Sequence, residues 1–263
     1  MAILCIGLMV SLGTNRVNAL TQGDYTYTTN ELGQAAITSF NMSYSGALSI
    51  TNNLGGCPVT SILGFEHCEG LTIVTIPDGV TRIGSYAFDG CFGMTSVSIP
   101  SSVINIGYNA FQYCIKLPSI TIPASVTSMD GSVFSDCPCL KGIFFKGNAP
   151  RCTGGAFTTS SKAPVYYLPG TTNWGATFLI YHPTYCWNPQ VQRDSGFGFA
   201  SKRFGFNITG TTNIPVVVEA STNISSGVWT PLTNTTLGVA GTLKFSDPSS
   251  TNYPSRFYRI VWP

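Results

Sequence analysis

From Leu71 onward the apolar and polar positions fall into a pattern that repeats every 23 residues. Lines open at Leu71, Met94, Leu117 and Leu140, each followed by apolar residues at strand spacing: Val74 and Ile76, Val97 and Ile99, Ile120 and Ile122, Ile143 and Phe145. A proline follows the first three of these runs, at Pro77, Pro100 and Pro123. Proline has no N–H for a ladder and a fixed φ, so it ends the strand and turns the chain. A second short apolar segment comes next, with Val80 and Ile83, Val103 and Ile106, Val126 and Met129. Each line closes on a Phe and a Cys three residues apart: Phe88 and Cys91, Phe111 and Cys114, Phe134 and Cys137. An irregular earlier copy places Val59, Ile62, Phe65 and Cys68 in the same roles.

A fixed period of this size is the mark of a solenoid, in which each unit buries its apolar face only against its neighbours. One such unit has too few inward side chains to offset the entropy of ordering its backbone, so stacking is obligatory. Parallel strands stacked ~4.8 Å apart turn each sequence column into a ladder of like residues. The expected fold class is therefore all-β, a coil with two strands per turn over residues 59–147.

The pattern L-x-x-[VI]-x-I-P, V-x-x-I, A-F-x-x-C resembles the BspA-like leucine-rich repeat of secreted and surface bacterial proteins, over about Val59 to Phe145. That resemblance implies a non-enzymatic binding scaffold, some of whose members are adhesins for matrix proteins or other cells.

The flanking segments take their expected roles from this centre. Residues 1–19, an apolar run from Ala2 to Leu12 and then Val17-Asn18-Ala19, read as a signal peptide, too short for a membrane span. Residues 20–58 are expected to cap the first open edge, which would otherwise pair with other chains. Residues 148–187 leave the period and are expected to cap the far end through Trp174, Phe178, Tyr181 and Trp187. Residues 188–203 have linker composition. From 204 to 263, short alternating runs separated by turn clusters predict a small β-sandwich-like module. Its V-E-A-S-T, W-T-P-L, F-S-D-P and R-F-Y-R segments resemble a tail module of secreted proteins from environmental bacteria.

Composition narrows the chemistry. Only 9% of the 263 residues are charged and the formal net charge is +2, too little to draw in a nucleic acid. Cys68, Cys91, Cys114 and Cys137 share one column, where cysteine serves as a small apolar side chain and ladder spacing exceeds what a bridge requires. Outside that column a Cys139–Cys152 disulfide is an open possibility. His67 and His182 are the two histidines, and neither sits in a zinc-ligand constellation. No metal, cofactor or catalytic motif is expected.

Candidate binding positions lie on the outward face of the first strand: Thr72, Thr75, Thr95, Ser98, Ser119, Thr121 and, in the fourth line, Phe144. Their hydroxyls would offer a periodic ligand hydrogen bonds at ~4.8 Å intervals, although β-propensity alone accounts for the row. Tyr86, Tyr108 and Tyr113 on neighbouring turns are candidate aromatic anchors. The expected function is non-covalent binding or adhesion to an extracellular protein or polysaccharide by a secreted or surface bacterial protein. Self-association into a layer or filament is the structural alternative, and a polysaccharide-active enzyme the remote one.

Overall fold

The computed structural model describes residues 19–153, 163–178 and 182–262, so the signal-peptide reading falls almost wholly outside the described residues. Strand and turn make up nearly all of it, with two short 3-10 turns, Ile224–Ser226 and Ser250–Asn252. Two compact units divide the described chain, one drawn from 1–165 and 171–184, the other from 166–170 and 185–263.

The first unit is a coil with three hydrogen-bonded sides. One side stacks the strands Cys57–Ile62, Arg82–Ile83, Asn105–Ile106, Ser128–Met129 and Arg151–Cys152 in parallel, with Ile62, Ile83, Ile106, Met129 and Cys152 in register. A second stacks Gly46–Ser49, Leu71–Thr75 and Ser96–Ser98, and after a gap Ser119–Ile122 and Gly142–Phe145. The gap has a covalent cause. The N–H of Thr95 donates to the carbonyl of Thr72, and that of Lys141 to Pro118, but Pro118 has no N–H to give Thr95.

The third side consists of successive turns, yet it forms a ladder as regular as the strands. Phe65 donates to the Ala87 carbonyl, Phe88 to Ala110 and Phe111 to Val133, at 2.8–2.9 Å. Each of the regular turns carries two left-handed residues, and the irregular first turn one. Tyr86, Asn109 and Ser132 fill one such column, and His67, Gly90, Tyr113 and Asp136 the other, with φ between 55° and 67°. Nothing but backbone conformation unites those four residues, which accounts for their unrelated side chains.

Inside the coil, Phe40, Phe65, Phe88, Phe111 and Phe134 form one stack, with ring centroids 4.8, 5.3, 5.3 and 5.8 Å apart. Phe40 reveals that the expected cap already contains a turn of the coil. The strand Ala35–Phe40 runs parallel to Cys57–Ile62, and Gly46–Ser49 parallel to Leu71–Thr75. Capping is left to Leu20–Gln22 and Tyr25–Thr29, which add antiparallel strands beyond Ala35–Phe40. At the other end Trp174 and Phe178 pack 5.0 and 5.5 Å from Phe145, and both belong to the first unit. Tyr181 lies outside the described residues. Trp187 departs from expectation: it belongs to the second unit, where its Nε1–H donates to the Pro215 carbonyl at 2.6 Å.

The second unit holds two antiparallel sheets. Arg203–Thr209 pairs with Gln190–Gln192, Gly198–Ala200 and Thr242–Asp247; Pro215–Ser221 pairs with Thr230–Thr236 and Phe257–Val261. Tyr258 of the second sheet meets Phe204, Phe206 and Phe245 of the first, at 5.1–6.0 Å between ring centroids. Residues 188–203 are thus no linker, since 190–192 and 198–200 are strands of this sheet. Their Gly, Ser and Gln content hides them, because it is the partner strand that settles the pairing.

Candidate functional site

The expected hydroxyl face is only partly built. Thr75 pairs with Ser98 in register, and both are exposed, as is Thr95. The Thr95 hydroxyl is already engaged, donating to the Thr72 carbonyl at 3.0 Å. Thr72, Ser119 and Thr121 are half-buried, and the break at Pro118 separates the last two from the rest of the row. Phe144 contradicts its assignment to an open surface. It points away from the contiguous core, yet is only 2% exposed. The row that reads as continuous in sequence is therefore interrupted and short.

The tyrosines fare differently. Tyr86 and Tyr108 come from successive turns and meet edge to face, with centroids 5.6 Å apart and planes at 76°. They remain 41% and 44% exposed. Glycines in the adjoining turns keep the ground beneath the strip clear. Leu63, itself at the surface, lies over Gly84, and the Tyr108 ring lies 3.4 Å from where a Cβ on Gly131 would sit. Gly107 allows close backbone approach, since its Cβ would fall 2.7 Å from the Gly84 carbonyl carbon. The result is an open apolar and aromatic strip, Leu63–Tyr86–Tyr108, running across successive turns. Of these, Tyr86 and Tyr108 are exposed large apolar groups in contact, which is the usual signature of a recognition surface. Tyr113, exposed as well, stands in the other left-handed column and is not part of this strip. The sequence reading did not single out Leu63, because the turn there is shorter, with Ile62 and Phe65 three residues apart against five for Ile83 and Phe88.

The cysteine column is interior. Cys68, Cys91, Cys114 and Cys137 are fully buried free thiols. Three of them donate to the carbonyl of the Phe one turn earlier: Cys91 to Phe65 at 3.2 Å, Cys114 to Phe88 at 3.4 Å and Cys137 to Phe111 at 3.1 Å. Burial pushes the Cys68 thiol up to about 11 and Cys137 to about 12, and raises Cys91 and Cys114 further. Such thiols are poor nucleophiles and poor metal ligands. The Cys139–Cys152 disulfide does not form: both are free thiols, Cys139 exposed. Cys152 continues the Ile83–Ile106–Met129 register, whereas Cys139 precedes the first strand of its line, on another side of the coil. His182 is buried, with Nδ1 2.7 Å from the Ala163 carbonyl, and burial lowers its pKa. It is held as part of the coil's packing rather than presented to solvent.

Among the described residues, no helix is long and apolar enough to cross a membrane. Comparison with known proteins agrees with this architecture. A family model described as a BspA type leucine rich repeat region matches six copies over residues 63–178. A leucine-rich repeat protein of T. pallidum is 25% identical, with TM-score 0.51, over 57% of this chain and 71% of that one. One from Bacteroides capillosus is 33% identical with TM-score 0.43, over 49% of this chain and 99% of its own. A leucine rich cell surface protein of Faecalibacterium prausnitzii is 24% identical with TM-score 0.39, over 57% and 54%. No curated protein matches the sequence.

Proposed function

We propose that this chain, whose residues 63–178 are a BspA-type leucine-rich repeat region, is an extracellular binding protein of a bacterium that engages a protein or polysaccharide non-covalently. The observation that carries the reading is the open Leu63–Tyr86–Tyr108 strip on successive turns of a rigid coil. Tyrosine suits the task because it brings a large apolar face and a hydroxyl while losing few rotamers on contact. The family, one of secreted and surface proteins, supports the extracellular setting. The buried, high-pKa thiols support binding rather than catalysis, since they withhold the chain's repeated nucleophile from any substrate.

A screen of the purified chain against glycans, cell-wall material and matrix proteins, with its size followed by light scattering, tests this. Saturable binding by a monodisperse species is the expected result. Concentration-dependent polymerisation without saturable binding would replace this reading with a self-assembling one.

A further inference from the structure

The second unit carries a cavity that the repeat surface does not involve. It is about 270 Å³ and opens between the end of the strand Pro215–Ser221, the turn that follows it, and the segment before Phe257–Val261. Its lining includes Thr222, Val228, Thr230, Tyr253 and Arg256.

Arg256 dominates the cavity. Its side chain is only 11% exposed, and on the inward side Nε lies 2.8 Å from Oδ2 of Asp247, itself 2% exposed. Asp247 is fully occupied there, accepting from the Ser249 N–H and the Tyr258 hydroxyl, each at 2.9 Å. It anchors the guanidinium without presenting a carboxylate to the cavity. The Tyr253 ring lies 4.2 Å from the guanidinium carbon and fixes its plane. No hydrogen bond within the described residues takes up the Nη groups, and Arg256 is among the residues that line the cavity. Ser221 and Ser226 spend their hydroxyls on the Asn223 carbonyl, whereas those of Thr222 and Thr230 have no such bond.

The free groups are thus a pre-oriented fork of N–H donors, two hydroxyls, and the apolar surfaces of Val228 and Tyr253. A fork of this kind matches the two oxygens of a carboxylate, and being already anchored it loses little entropy on binding. Hydroxyls and an aromatic face beside it suit a sugar ring. We infer that this cavity is a binding site for a carboxylated sugar, a hexuronic acid unit, with Arg256 on the carboxylate, Thr222 and Thr230 on ring hydroxyls, and Tyr253 against the ring.

Calorimetric titration of the full chain with galacturonate and glucuronate oligomers tests the assignment, alongside the uncharged galactose and glucose oligomers and N-acetylglutamate. Saturable uronate binding is expected, at least ~10-fold tighter than for the neutral sugars or the simple carboxylate, and weakened by added salt. Arg256→Lys keeps the charge but loses the fork, and is expected to reduce affinity ~10-fold or more. Thr230→Val alters an exposed side chain and should weaken binding in a chain whose melting curve is unchanged, and Tyr253→Leu should weaken it as well. Absence of uronate binding to the wild type would overturn the inference. So would equal affinity for neutral sugars, or wild-type affinity in both the Thr230 and Tyr253 variants.

Discussion

At the scale of single residues, the cysteine column shows how a repeat turns a reactive side chain into an inert one. Its four thiols are buried and three of them donate to carbonyls, so a thiol reagent at about pH 8 should label Cys139 first and the four column cysteines only after denaturation. Mass mapping of the label checks this, and early modification of Cys114 would contradict it. The raised pKa values also set a pH dependence. Folded thiols hold their protons above the ordinary value of 9.0, whereas unfolded thiols release theirs there. Stability is therefore unaffected below about pH 9 and falls as pH rises toward the folded values, about 11 for Cys68 and about 12 for Cys137. Thermal scans from about pH 8 to about pH 10.5 should show a falling midpoint, with a shallower fall in Cys114→Ala. An identical slope in both proteins would refute the linkage. The column itself was legible in sequence because burial demands one small apolar side chain at one repeating place. The left-handed columns were not, since His67, Gly90, Tyr113 and Asp136 share a φ and no chemistry.

Elements follow the sequence wherever periodicity alone decides them, and depart from it where a single backbone group matters. The phenylalanine stack was implied by its spacing, and its consequence is energetic. Phe111→Ala, at a ring contacted on both sides, should cost about 3–5 kcal/mol in urea unfolding. A cost below about 1 kcal/mol would mean that the stack is not what holds successive turns together. Gly107→Ala should destabilise by about 1–3 kcal/mol, because its Cβ would press on the Gly84 backbone, which has no side chain to swing away. Pro118 had the opposite lesson. It sits in a surface column where its neighbours are Thr72, Thr95 and Lys141, and only the ladder shows that losing one N–H splits the sheet and the hydroxyl row with it. The strands at 190–192 and 198–200 were likewise hidden, since Gly-, Ser- and Gln-rich segments acquire strand character only from the partner at 203–209.

For the molecule as a whole, the sequence made plain that one part is a repeat coil and the other a compact β unit, and it offered Tyr86 and Tyr108 as separate candidates that only stacking joins into one proposed surface. Tyr86 and Tyr108 are 22 residues apart, one short of the period, and so occupy different columns. Stacking nonetheless brings their rings together, and glycines on adjoining turns leave the strip open. The most direct measurement compares binding of an extracellular glycan or matrix protein found in the screen by three forms of the full chain: wild type, Tyr86→Ala/Tyr108→Ala, and Thr75→Ala/Ser98→Ala. The account predicts that the tyrosine variant loses ~100-fold or more in affinity, as expected when two anchoring aromatics are removed, while the hydroxyl variant stays within ~3-fold of wild type. Full binding by the tyrosine variant, with loss confined to the Thr75/Ser98 variant, would contradict it and move the site to another side of the coil.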